Sequence, residues 1–492
     1  MASEETVVIP TTEYEQLLSQ KSRISVLEHQ LAELKRLIFG AKSERFIPAS
    51  DMATGNLFEI PEDESVQKQV EEISYTRKKA EGKKHPLRME LPAHLPRHEE
   101  VIEPENLPEG AIKIGEAITE ILDYQPPTLH VRRIIRPKYI ISSTDEQTKI
   151  VIAALPTLPI PKGNAGAGLL SYILTSKFVD HLPFYRQAQM FKRQNITIAE
   201  STINGWFNAS CHLLKPLYQV LLEITVASRY LMADETHISV LTKDKPGATH
   251  KGYYWVYYDP VNKLALFDYQ KSRGQEGPNG MLEAFDGHLQ TDGYVAYTSL
   301  KNKNIILLAC MAHARRKFEH AKDNDRVRAE HALVLFHQLY QIESDIREQL
   351  LSPDEIKAIR MKRALPVLLE MEAWLKKEIY LVLPKSAIGM AFSYTLNLWP
   401  RLVRYIEDGH FLIDNNLIEN SIRPVALGRK NYLFAGSHEA AEQAAILYSM
   451  LATCKINNVE PFAWLKHTLD VIQDWPADKL KDLLPGTAKP NY

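Results

Sequence analysis

Cysteine is scarce: 492 residues hold three, Cys211, Cys310 and Cys454, far apart and in mostly apolar surroundings. This excludes a disulfide framework or a Cys-x-x-Cys zinc site and suits buried thiols in a reducing compartment. Long apolar runs are missing too. None reaches the roughly 20 residues of a membrane span, so no membrane partner is expected. The first residues, MASEETVVIPTTEYEQ, lack the basic-then-apolar layout of a secretory signal, and the expected location is cytoplasmic. Nor is there an excess of one charge. A net −2 gives no global attraction to nucleic acid and leaves such binding to local basic patches.

What is present has a clear order along the chain. Leu17, Ile24, Leu31 and Ile38 recur every seven residues, with Leu27 and Leu34 between them. The spacing predicts a coiled coil in residues 1–46 and a homo-oligomer formed through it; an amphipathic helix packed on its own domain would show the same pattern. Residues 47–100 read as a charged, Pro-containing linker: six acids from Glu59 to Glu72, then six bases from Arg77 to Arg88. Such charge blocks seldom form a core. Residues 101–160 read as a small strand-rich module containing HVRRIIRPKYIIS. An extended strand there would put Arg132 and Arg136 on one face and Arg133 on the other. With Lys138, these residues fit a phosphate-facing strand or a merely solvated one. Residues 161–229 look helical, with a break near Asn195 and a second helix opening at Thr197 or Ser201. This matches a helix-turn-helix carrying Ser201, Thr202 and Asn204, and equally two packed core helices.

The rhythm changes after residue 230. RYLMADETHISVL, GYYWVYYDP and KLALFDYQ are strand candidates by their aromatic and β-branched content. A Gly/Pro-rich loop at 272–280 leads to a helical piece, MLEAFDG, then to HLQTDGYVAYTSL and to NIILLACMAHARRKFEHA, a strand turning into a basic helix. Strand, strand, strand, helix, strand, helix, strand, helix is the order of a ribonuclease-H-like fold, shared in its beginning by other α/β folds. Successive helical patterns over about 322–405 read as an all-α insertion in a catalytic domain at 230–440, and residues 441–492 as a C-terminal helical element.

Three acids carry the chemistry. Asp234 lies on the first of these strands and Asp292 ends the fourth, so adjoining strands would bring both carboxylates to one edge. Close like charges repel unless divalent cations neutralise them, and hard cations such as Mg²⁺ or Mn²⁺ take oxygen ligands. Taken singly, Asp234 caps a turn and Asp292-Gly293 is an ordinary turn dipeptide. The third acid is in DNNLIENSIRPVALGRKNYLFAGS. Asn416 and Glu419 fit a capping box, yet Asn416, Glu419 and Asn420 share a helical face, with Arg423 one turn beyond. Pro424 predicts that this helix ends or kinks near Arg423.

LMADET, TDGYVAY, CMAHARRKF and the long C-terminal motif resemble the transposases of the insertion-sequence-66 family. LIFGAKSERF and LATCKINNVEPFAWL do as well, so the likeness runs from about residue 14 to 470. The resemblance implies a multidomain α/β protein: a ribonuclease-H-like core with an all-α insertion, an N-terminal coiled coil and a helical DNA-binding region. It implies a DDE transposase acting on double-stranded DNA, the element's ends and the target, with accessory proteins of the same element as further partners. Its acidic triad would be Asp234, Asp292 and Glu419, holding Mg²⁺ or Mn²⁺ for phosphoryl transfer. His313, Arg315, Arg316, Asn416, Arg423, Arg429 and Lys430 would grip DNA, with Arg132, Arg133, Arg136 and Lys138.

Two departures stand out. Relatives often carry a cysteine-bearing zinc module before the core; here that region has no cysteine, His94 and His98 sit among prolines, and no zinc is expected. Asn420 stands where relatives are often basic. Two rival readings remain: a His-x-x-Arg, His313 to Arg316, of the kind tyrosine recombinases use, and a DNA-binding, self-associating protein without catalysis.

Overall fold

The computed structural model describes residues 129–136, 138–142, 148–152, 154–161, 163–242 and 247–486. The heptads, the charged linker and the His94/His98 pair lie outside the described residues. The chain divides into two compact units between Leu155 and Pro156.

In the first unit, β1 (Lys138–Ser142) and β2 (Thr148–Ile152) form an antiparallel hairpin with Lys138 opposite Ile152. Of the four basic residues placed in an extended strand by the sequence, only Lys138 is in one. Arg132 and Arg133 lie exposed in an irregular stretch, and Arg136 is half-buried at its end. A proline at 137 explains the late start, because it has no N–H to donate to a ladder.

The second unit opens with α1 (Ala167–Phe178), α2 (Phe184–Arg193) and α3 (Glu200–Val226). Asn195 makes the turn after α2 with a left-handed φ of 61°, a conformation asparagine tolerates. Ile203, Phe207, Cys211, Leu214, Leu217 and Leu221 form the buried stripe of α3, the i, i+4, i+7 spacing of a core-facing helix. Ser201, Thr202 and Asn204 lie on its exposed side.

The central sheet follows: β3 (Tyr230–Leu241), β4 (Thr249–Asp259), β5 (Leu264–Gln270), β6 (Gly287–Thr291) and β7 (Ile305–Ala309), in spatial order β5-β4-β3-β6-β7. β3, β4 and β5 are antiparallel, while β6 and β7 run parallel to β3. Short helices α4 (Glu276–Met281) and α5 (Val295–Thr298) flank β6, and α6 (Met311–His320) follows β7. The helical piece expected at MLEAFDG lies earlier, at α4, inside the stretch read as a loop. Leu282 and Phe285 are buried outside any helix, and Asn302 Nδ2 donates to their carbonyls at 2.9 and 2.6 Å. Those side-chain bonds replace the ones a helix would supply.

Between α6 and the return to the sheet come α7 (Arg326–Arg347), α8 (Pro353–Ile359), a π turn (Arg360–Ala364), α9 (Leu365–Glu378) and α10 (Ala387–Leu402). The π turn carries Arg360, which is fully buried. It donates through Nε and Nη2 to Glu343 at 2.8 and 2.7 Å, and through Nη1 to the Tyr405 and Asp408 carbonyls at 3.0 and 2.9 Å. One guanidinium thus joins α7 to the point where the chain re-enters the sheet region. The last helices are α11 (Asn416–Tyr432), α12 (His438–Ile456) and α13 (Pro461–Val471). On α12, the Ser449 and Thr453 hydroxyls accept from the Phe267 and Ala265 amides of edge strand β5 at 2.8 and 3.2 Å. This covers an edge that would otherwise present open donors.

α11 neither ends nor breaks at Pro424. An interior proline costs about 3 kcal/mol, but Ile418, Ser421, Val425 and Gly428 bury one face of the helix. Its C-terminal end is also tied to β3: the Ala435 amide donates to the Ser239 carbonyl (2.8 Å), and the Leu241 amide to the Ala435 carbonyl (2.9 Å). Tertiary packing overrides the local preference.

Candidate active site

The parallel ladder of β3 and β6 ends with Met232 beside Gln290. Two residues further along each chain stand Asp234 and Asp292, so the register sets them side by side just past the last pair. With a side-chain period of two, Asp234 shares its face with Thr236, the face on which α11 packs through the Arg429–Thr236 bond. Glu419 lies in the first turn of α11, where a helix N-terminus favours negative charge.

Local bonds fix the two aspartates. Asp234 Oδ1 accepts from the Glu235 amide and Asp292 Oδ1 from the Tyr294 amide, both at 2.8 Å. Tyr394 donates to the Asp292 carbonyl at 2.6 Å, linking the turn to α10. Glu419 Oε1 lies 3.9 Å from His313 Nε2 and 3.8 Å from Arg316 Nη2. Burial, and then the charges of Glu235, Asp292 and Glu419, push the Asp234 carboxyl well above its ordinary range. His313 responds oppositely: burial and Arg316 lower its pKa, while Asp292 and Glu419 pull it upward. The three acids and His313 therefore occupy one electrostatic neighbourhood. Among the described residues, no three His, Cys, Asp or Glu side chains gather into a ready-made metal cage.

The entry to α11 is held by the strands beneath it. The Met311 amide donates to the Ile413 carbonyl at 3.0 Å, and the Asn415 amide to Cys310 Sγ at 3.2 Å. Gln290 Nε2 donates to the Leu412 carbonyl at 2.8 Å. The capping box of Asn416 and Glu419 does not form. Asp414 does the capping, accepting from the Asn416 amide at 3.1 Å and from Asn416 Nδ2 at 2.8 Å.

The basic residues singled out in the sequence divide by environment. Arg316 is half exposed beside Glu419. Arg315 pairs with Glu319 at 3.1 Å on its own helix. Arg423 and Lys430 lie on the exposed side of α11. Arg429 is partly buried and donates through Nη1 to Thr236 Oγ1 (2.9 Å) and the His237 carbonyl (2.5 Å), which pins α11 to the strand bearing Asp234.

Three residues of the site had no role in the sequence reading, Glu235, Arg273 and Tyr294, and a fourth, Asn415, which the capping-box reading makes a surface group, is instead buried. Asn415 is buried under α11, its Oδ1 without a partner among the described residues. Glu235 follows Asp234 and points to the other face of the sheet, where Arg273 reaches it from a Gly/Pro-rich segment. Alternation along β3 was the available signal for Glu235. Nothing local marked Arg273.

The model of the family described as "Transposase IS66 family" matches residues 162–443, more than half the chain. The chain belongs to that family. Its C-terminal element, "IS66 C-terminal element", matches residues 449–485, and a model described as "Transposase C of IS166 homeodomain" matches residues 26–99. Two relatives from Sinorhizobium fredii (strain NBRC 101917 / NGR234) match nearly end to end. The uncharacterized protein y4jD is 32% identical over 501 residues, covering 96% of each chain, and the uncharacterized protein y4qI is 33% identical, covering 96% of this chain and 90% of its own. Membership of this transposase family supports DNA cutting and joining as the activity. No described helix is long and apolar enough to cross a membrane.

Proposed function

We propose that this IS66-family transposase is of the DDE type, with a ribonuclease-H-like core in which Asp234, Asp292 and Glu419 are the catalytic acids. Three antiparallel strands continued by two parallel ones, in the order β5-β4-β3-β6-β7, support the core assignment. The observation that carries the site is the register. It runs as far as Met232 and Gln290, each two residues before an aspartate, which favours Asp234 on β3 lying beside Asp292 just after β6, and Asp292 and Glu419 both raise the Asp234 carboxyl. A structural role for these acids gives no reason to hold a buried carboxylate against like charges.

The donor set suits a hard divalent cation, Mg²⁺ or Mn²⁺: all three are carboxylates, and the strain on Asp234 is of the kind a cation relieves. Asp234, Asp292 and Glu419 would hold it, and when bound it would activate the attacking hydroxyl and stabilise the leaving oxygen at a DNA phosphate. The chain's own groups then orient and exchange. Without DNA, His313 and Arg316 compete for the Glu419 carboxylate with any ion held by the two aspartates. A DNA phosphate competes with Glu419 for Arg316 and frees its carboxylate to turn toward them. Arg423 and Lys430, exposed on α11, offer further phosphate contacts. Double-stranded DNA at the element's ends and at the target is the substrate. The heptads provide self-association, and accessory proteins of the same element are further partners.

The test is Mg²⁺-dependent nicking of a plasmid carrying the DNA that flanks this chain's gene. Glu419→Gln should abolish nicking and leave DNA binding intact. Nicking retained by Glu419→Gln would move the third acid elsewhere, with Asp414 next to be tried. Binding without nicking by the unaltered chain would favour the non-catalytic reading.

A further inference from the structure

Opposite the face where Asp234 meets α11, a second group of residues surrounds the same edge of the sheet. Glu235 is almost wholly buried, its side chain 2% exposed. A carboxylate there, beside Asp234 and Asp292, adds to the local repulsion. Both its oxygens are engaged. Oε1 accepts from Arg273 Nε at 2.9 Å and from Arg273 Nη2, and Oε2 accepts from the Tyr297 hydroxyl at 3.3 Å. Glu235 is thus occupied with holding Arg273 and is not a spare metal ligand.

Arg273 is held from a second side as well. Its guanidinium carbon sits 4.0 Å from the centre of the Tyr294 ring, and the Tyr294 hydroxyl donates to the Arg273 carbonyl at 3.3 Å. Tyr294 is the residue whose amide the Asp292 carboxylate accepts. One short chain of contacts therefore runs from Asp292 through Tyr294 to Arg273 and ends on Glu235, next to Asp234. Despite these contacts the Arg273 side chain is 46% exposed, and its Nη1 has no partner among the described residues. A counter-ion for Glu235 alone would need neither the stacking nor the open nitrogen. Arginine presents a planar fork matched to phosphate, and fixing it in advance lowers the ordering cost of binding.

We propose that Arg273 is a DNA-phosphate-binding residue of the active site, held beside Asp292 by Glu235 and Tyr294. It contacts a phosphodiester next to the one being cut, on the side of the sheet edge away from α11. The inference rests on the transposase reading for its purpose, but its test is separable from that reading.

The affinity of the full chain for a fluorescent random-sequence duplex is measured against salt concentration. Losing one phosphate contact lowers the slope of log K against log salt by about 0.9, and Arg273→Ala should do so with roughly tenfold weaker binding. Arg273→Lys keeps the charge and should keep the slope, yet nick plasmid DNA more slowly because the fork is lost. Unchanged slope and affinity in folded Arg273→Ala would make Arg273 a counter-ion only and overturn the proposal. If Arg273→Ala does not fold, Arg273→Lys decides, and wild-type nicking by it would equally overturn the proposal. Failure of the unaltered chain to nick, with the slope change present, would count against the transposase mechanism and leave the phosphate site standing. Failure of the unaltered chain to bind the duplex at all would overturn both.

Discussion

Arg429→Ala separates two roles that the sequence does not distinguish. From the motif, Arg429 is a DNA contact; in the structure its Nη1 bonds Thr236 Oγ1 and the His237 carbonyl at 2.9 and 2.5 Å. Thr236 shares a face with Asp234, and Glu419 sits ten residues before Arg429 on α11. The two bonds therefore fix the helix bearing one acid to the strand bearing another. Hydrogen bonds from a charged donor contribute about 1.5–3 kcal/mol each. Water can partly replace them at a half-exposed site, so a loss of about 2–3 kcal/mol is expected. For a unit of this size that is a fall in Tm of roughly 3–4 °C. Catalytic geometry is less forgiving: a displacement of about 1 Å can cost on the order of a hundredfold in rate. With DNA saturating, Arg429→Ala should nick about a hundredfold more slowly, bind DNA with an unchanged salt slope and melt lower. Arg429→Lys should recover part of the rate. The reasoning is refuted if Arg429→Ala loses about one phosphate from its salt slope yet nicks at the normal rate once DNA saturates.

Three further outcomes follow from other parts of the molecule. Arg360→Ala leaves Glu343 buried without its partner and should destabilise the chain by about 3–5 kcal/mol, read as a lower urea midpoint; a change under about 1 kcal/mol would mean that the pair is solvated. Lys177, its ammonium 3.7 Å from the centre of the Phe184 ring, is lowered by burial to about 8 from 10.5. The unfolded chain then binds more protons between these values, so this group's contribution to stability rises with pH across that window and its penalty is fully present below it. Lys177→Met should stabilise the chain at pH 7 by up to about 3 kcal/mol, with the gain fading toward pH 10.5, and an equal gain at both pH values would refute the assignment. Replacing Leu27 and Leu31 with glutamate should lower the mass measured by light scattering, whereas an unchanged oligomer would reject the heptad reading.

The strands were the most legible part of the fold. β4 carries four tyrosines, a tryptophan and a valine, and β3 and β5 mix aromatic, β-branched and leucine residues, which agrees with the local preference for strand. Agreement failed where distant contacts decide. α11 continues through Pro424 because β3 holds its far end, and the arginines before Pro137 stay out of the hairpin because pairing begins after the proline. The three acids could be chosen from their positions on elements, but not the bonds that organise them. Arg273 lies in a segment whose glycines and proline conceal a short helix, and its partner Glu235 is 38 positions earlier. Only the assembled sheet brings the two together.

The most direct test of the catalytic assignment is a crystal of the chain with duplex DNA and Mn²⁺, with the ion located by its anomalous scattering. The account predicts an ion between Asp234 and Asp292, with Glu419 moved away from His313 and Arg316 to join it. An ion elsewhere, or Glu419 still beside His313 with DNA bound and metal in place, would contradict it.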